Sequence, residues 1–186
     1  MKNINNSLFT LDKFIDESLY NKKYGYYMKK NPFGKSGDFI TSPNISILFS
    51  EMIAVWVISF WEKLGSPKQF NLVELGAGNG EMMKVLIGTF NKFPQFKKSC
   101  KINILEKSKL LKRTQKINIR DKEIKWLRDL NELNNFPSIF IANEFFDALP
   151  IKQFLKKKNK WFERYVNFTN NNKLKYLDIP FDMKKF

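Results

Sequence analysis

The stretch at 70–75, "FNLVEL", is apolar without alternation and runs directly into Gly76, Gly78 and Gly80 of "VELGAGNGEMM", after which helical spacing resumes over 80–90. A strand that breaks into glycines in this way lets the backbone approach a ligand closely at the carboxyl edge of a parallel sheet, where open α/β sheets bind their ligands. The pattern repeats downstream. "INILE" (102–106) reads as a second buried strand, 108–118 as a second helix, "IKWL" (124–127) as a third strand and "SIFIAN" (138–143) as a fourth. Continuously apolar strands separated by helices predict an α/β fold with a parallel sheet covered on both faces.

The flanks differ from this core. Leu11, Phe14, Ile15 and Leu19 recur at helical spacing after a Thr10 cap, 20–43 is loop-like, and Pro43 with Asn44 starts a long helix, 44–63, that ends before Gly65 and Pro67. Beyond the core, "IKQFLKK" and "KWFERYVNF" alternate as an antiparallel hairpin around "KKNK", followed by a short strand near 173–177. Three parts result: an N-terminal segment 1–69, an α/β core 70–150 and a hairpin part 151–186.

Composition narrows the chemistry. The 186 residues suffice for a real core, while a lone Cys100 and the absence of histidine exclude an internal disulfide, a cysteine-rich zinc site and a histidine base, so no metal site is expected. Carboxylates, amides, hydroxyls, Tyr and Lys remain. The net charge of +15 admits a polyanionic ligand, but it is mostly Lys in an Asn- and Ile-rich chain, which favours solvated surface over a nucleic-acid partner. "MKNINNSLFTLDKF" carries no leader pattern, so a cytoplasmic location is expected. The stretch 44–61 is the most membrane-like, yet Glu51 and three serines interrupt it below the ~20 apolar residues of a span, and a buried helix is expected there.

Two nucleotide motifs fail on inspection. A dinucleotide fingerprint requires glycine at 81, where Glu81 sets a negative charge against any pyrophosphate; "GKS" at 34–36 lacks the earlier glycine and the strand of a phosphate loop. A nucleoside with an amino acid head and no phosphate fits better. Glu74 can accept from a ligand ammonium, the 76–80 turn can pass along its carboxylate and thioether, and Glu106 stands where one carboxylate bonds both ribose hydroxyls. S-adenosylmethionine has these groups. At the end of the fourth strand, "ANEFFDALPI" gathers Asn143, Glu144 and Asp147: either acid could hold a guanidinium with Asn143 orienting it, or the segment is a plain helix cap.

"GYY", "GDFITSP", "VELGAGNGEMM", "ILEKS", "ANEFFDALPI" and "WFERYV", in this order, resemble the MidA family of S-adenosylmethionine-dependent methyltransferases over roughly 9–166. Mitochondrial members of that family methylate arginine during assembly of respiratory complex I. The resemblance implies a class I methyltransferase fold, a Rossmann-like sheet with N-terminal helices and a hairpin insertion, with Gly76, Gly78, Gly80 and Glu106 at the cofactor. It implies a cofactor-side lid of Gly37, Asp38, Thr41, Ser42 and Pro43, and Trp126 and Leu127 beside the adenine. It also implies a protein substrate, with a respiratory-complex subunit as the family precedent. Ala77 and Asn44 depart from the family's Pro and Glu, and the second change touches the lid. The sheet read here is incomplete at its C-terminal end, and a truncated chain is expected on that ground. An RNA methyltransferase and a non-catalytic assembly protein are the alternative readings.

Overall fold

The computed structural model describes residues 8–34, 37–168 and 173–183. Lys35 and Ser36 of the "GKS" motif and the first seven residues of the N-terminal reading lie outside them. In chain order the elements are β1 (Leu8–Thr10), α1 (Leu11–Tyr20), α2 (Tyr26–Lys29), α3 (Ser42–Ile45), α4 (Ile47–Lys63), β2 (Phe70–Leu75), α5 (Glu81–Phe90), α6 (Pro94–Ser99), β3 (Cys100–Leu105), α7 (Lys109–Ile119), β4 (Lys125–Leu127), β5 (Ser138–Ile141), β6 (Phe154–Lys157), β7 (Lys160–Phe168) and β8 (Leu174–Phe181). They fall into two compact units, 30–146 and the combination of 1–29 with 147–186.

In the 30–146 unit, four parallel strands lie in the order β4-β3-β2-β5. The chain moves from β2 outward through β3 to β4, then returns to place β5 on the other side of β2. That reversal makes the carboxyl ends of β2 and β5 a topological switch point. β2 is buried on both faces because α-helical cover removes either side from water: Phe70, Leu72 and Val73 are each 0% exposed. Beneath it, Phe96 packs 4.7 Å from Phe90, 5.3 Å from Phe70 and edge-on to Trp61 at 5.4 Å. Burying each such ring contributes about 1.5–3 kcal/mol, and the Trp61 indole N–H is satisfied by the Pro67 carbonyl at 3.1 Å.

The expected helix over 44–63 is two helices. Ser46 is extended, at φ −141° and ψ 122°, which ends α3 after one turn and starts α4 afresh. The expectation that this stretch is buried holds for one stripe. Ala54, Val57, Ile58 and Trp61 enter the core, while Met52, Val55, Trp56 and Phe60 are exposed, because α4 is apolar all round and only one side meets the sheet. Among the described residues no helix is long and apolar enough to cross a membrane.

The other unit is an antiparallel sheet with α1 and α2. β7 is its centre: β8 runs along one edge, and β6 and β1 pair with opposite ends of the other. The hairpin β6–β7 is the one expected from the alternating sequence, whereas β1 carries no such signal. Its three residues extend only because they pair with Tyr165, Val166 and Asn167. Val166 is buried, Phe14 packs on Phe168 with ring centres 5.8 Å apart, and buried Glu163 accepts from Lys152 Nζ at 2.6 Å.

Candidate functional site

At the switch point the chain leaves β2 through Gly76, Gly78 and Gly80, all at positive φ (67°, 54° and 85°). The first two matter for different reasons besides conformation. A Cβ on Gly76 would stand 2.7 Å from the Phe145 ring, and one on Gly78 would touch the Phe33 ring at 3.5 Å. The glycines thus let backbone lie flush against two aromatic faces. Gly80 caps α5.

Gly76, Gly78 and Phe33 enclose a small cavity together with Thr41, Pro43, Asn44, Glu74, Ala77, Asn79, Met82, Asn143 and Glu144. Its volume is about 40 Å³, room for a few water molecules. A nucleoside needs more room than this, and side-chain rotamer changes in the wall are a common adjustment at binding surfaces.

Glu74 dominates the electrostatics. It is 2% exposed, its Oε2 has no hydrogen-bond partner, and burial, with the charge of Glu106 adding to it, pushes its carboxyl up to about 8. An orphaned buried carboxyl oxygen is costly and asks for a donor. A ligand ammonium would satisfy it, so the donor set fits the amino acid head of S-adenosylmethionine.

Glu106 follows β3. Burial raises its carboxyl, against which the Ser108 N–H, the Gln115 amide and Lys112 act. Its Oε1 accepts from Ser108 N at 2.8 Å and its Oε2 from Gln115 Nε2 at 2.9 Å. Each carboxylate oxygen retains a further lone pair for a ligand hydroxyl. Gln115 also donates to the Gly78 carbonyl at 3.0 Å and accepts from Trp126 Nε1 at 3.0 Å. One face of the Trp126 ring carries Lys116 Nζ, 5.0 Å from its centre.

The structure therefore brings Thr41, Pro43, Glu74, Gly76, Gly78, Asn143 and Glu144 around one cavity and links Glu106 to Trp126 through Gln115. The other expected residues stand outside its wall. Ser42 opens α3, the Gly37 N–H donates to the Gly34 carbonyl at 2.9 Å, and Asp38 is exposed and ion-paired with Lys30. Leu127 is fully buried on β4. Asp147 belongs to the other compact unit, on the short turn of 3-10 helix Phe146–Ala148. Asn143 and Glu144 precede that turn, and Glu144 is an exposed residue at φ 48°, a conformation that non-glycine residues rarely hold without a reason.

Several neighbours escaped sequence reading. Asn79 reaches from the glycine turn to Asn44 Oδ1 at 2.9 Å, and Asn44 in turn donates to Thr41 Oγ1 at 2.8 Å. The departure at Asn44 thus creates an amide bridge between the glycine turn and the start of α3. The "N" of "GNG" was the available signal, since an Asx side chain beside a helix start commonly bonds locally. Phe33, Met82 and Gln115 had none beyond their residue type.

Three comparisons bear on this site. A family profile described as "Putative S-adenosyl-L-methionine-dependent methyltransferase" matches residues 52–185. The mitochondrial protein arginine methyltransferase NDUFAF7 of Xenopus laevis is 35% identical over 182 residues, covering 85% of this chain and 42% of that protein. Its Bos taurus counterpart is 31% identical over 197 residues, covering 92% and 45%. The chain thus spans less than half the length of these relatives. A crystal structure from Burkholderia thailandensis, bound to S-adenosyl-homocysteine, superposes with a TM-score of 0.78 at 23% identity over 96% of this chain and 47% of that one, a likeness of fold.

Proposed function

The chain belongs to this family of S-adenosyl-L-methionine-dependent methyltransferases, the MidA family, and on that premise we propose that its 30–146 unit binds S-adenosylmethionine and that the protein methylates arginine in a protein substrate. The observation that carries the reading is Glu74: a buried carboxyl with an unpartnered oxygen, beside a glycine turn at the switch point of a parallel sheet.

The cofactor supplies an electrophilic methyl on a sulfonium. The chain supplies position and charge. Glu74 holds the amino group, the backbone of Gly76 and Gly78 passes close to the amino acid portion, and the free lone pairs of Glu106 take the ribose hydroxyls. Trp126, whose indole is tied to the same Gln115 as Glu106, would take the adenine. For the acceptor, Glu144 pairs with guanidinium and Asn143 orients it by hydrogen bonding. A carboxylate there would hold the nucleophilic nitrogen and receive its proton as the nitrogen–methyl bond forms, while the sulfur–methyl bond breaks and its electron pair stays on the departing thioether.

Arginine as the target rests on the names of the relatives, and a respiratory-complex subunit as substrate on the sequence resemblance. Acidic residues in the cavity favour a cationic acceptor over phosphate. Calorimetry with S-adenosylmethionine tests the cofactor: no heat of binding overturns the reading. Labelled S-adenosylmethionine with cell lysate tests the acceptor. Label recovered as methylarginine supports it, and label recovered in RNA replaces it with the nucleic-acid alternative.

A further inference from the structure

We propose that Gln115 is a positioning residue of the cofactor site, holding Glu106, the Gly78 carbonyl and Trp126 in one fixed arrangement; this rests on the cofactor reading above. Its side chain is 0% exposed. A buried primary amide must find partners for two N–H groups and a carbonyl, and Gln115 finds all three on groups that face the proposed ligand. One N–H goes to Glu106 Oε2 at 2.9 Å, the other to Gly78 O at 3.0 Å, and the carbonyl accepts from Trp126 Nε1 at 3.0 Å.

Those partners lie on three separate segments: the end of β3, the turn after β2, and β4. A planar amide has one orientation that serves all of them. Rotating it away leaves an N–H against the indole N–H and a carbonyl against a carboxylate. Gln115 therefore couples the acid assigned to the ribose with the ring assigned to adenine and the backbone assigned to the amino acid portion. No isolated pair among them could do this. Asn118, one helical turn along α7, reinforces the link by donating to the Asn79 carbonyl at 2.9 Å.

The same amide stabilises Glu106 as a carboxylate, acting with the Ser108 N–H, Lys112 on α7 and the Lys107 backbone, and against burial. Glu74 on β2 is the neighbouring acid, whose own carboxyl the Glu106 charge helps to raise. Removing the amide donor raises the Glu106 carboxyl, so the acid side of the binding profile moves to higher pH.

The test is calorimetric binding of S-adenosyl-homocysteine to the full chain and to Gln115→Met, which keeps length and loses every hydrogen bond, across pH 5 to 8. We expect affinity about tenfold weaker at neutral pH and an acid limb displaced upward. A cooperatively folded Gln115→Met with wild-type affinity and an unmoved acid limb overturns the proposal. Absence of binding by the wild type overturns the cofactor reading itself, and this inference with it. Should the variant not fold, labelled wild-type protein is decisive: the Gln115 side-chain amide and the Trp126 indole N–H resonances shift together on titration, and resonances that both stay still overturn the role.

Discussion

Glu74 on β2 and Glu106 just past β3 share one buried region, and the charge of Glu106 adds to burial in holding the Glu74 carboxyl at about 8. Two acids are thus kept where only one ionises readily. The arrangement is unfavourable for the protein alone, and a cation brought to Glu74 would relieve it.

Folding stability should record this. Glu74 is raised from 4.5 to about 8, so between those values the folded state binds a proton that the unfolded state has lost, and stability falls as pH rises through the window, by roughly 1.4 kcal/mol per unit at most. Urea midpoints at pH 5 and pH 8.5 measure it. Glu74→Gln should lose much less stability across that interval; an identical pH dependence in both proteins contradicts the buried carboxyl.

Cofactor binding should release a proton. An ammonium group favours ionised Glu74, which is largely protonated at pH 7 in the free protein. Calorimetric enthalpies in two buffers of different ionisation enthalpy should differ by up to one proton's worth, and equal enthalpies count against the pairing.

Glu106→Ala should weaken S-adenosylmethionine binding by about 2–4 kcal/mol, the loss of one to two charge-assisted hydrogen bonds. The measured dissociation constant decides this. An unchanged value removes Glu106 from the ribose.

Two glycines should respond with opposite sign. Gly76→Ala places a methyl 2.7 Å from the Phe145 ring at a φ of +67°, costing about 1–3 kcal/mol in chemical denaturation. Gly88 lies within α5 with nothing within 4 Å of an added Cβ, so Gly88→Ala should stabilise by up to about 1 kcal/mol. The reverse order would show that the turn is not built as described.

Glu144→Gln should spare cofactor affinity and lower the rate of methyl transfer about 10²-fold or more, measured with labelled cofactor. A rate within twofold of wild type assigns the acceptor's charge partner elsewhere.

What residue order alone settled was local. Apolar runs at 70–75, 102–106 and 138–143 read as parallel strands, and β2 is buried on both faces as such a run requires, whereas β5 alternates, with Ser138 and Phe140 exposed and Ile139 and Ile141 buried, because one of its faces has no cover among the described residues. Three glycines at alternate positions marked the turn that leaves β2, and Glu74 and Glu106 were legible as acids at the ends of β2 and β3, because strand ends place side chains at that edge. Tertiary structure alone decided the rest. Strand order depends on which faces the helices cover, so the switch point between β2 and β5 appears only in the assembled sheet. The pairing of β1 with β7 sets Leu8 against Asn167, Phe9 against Val166 and Thr10 against Tyr165, partners at opposite ends of the sequence and beyond any local pattern. Gln115 was indistinguishable from any polar residue on α7 until burial left its amide no water and three protein partners took the place of solvent.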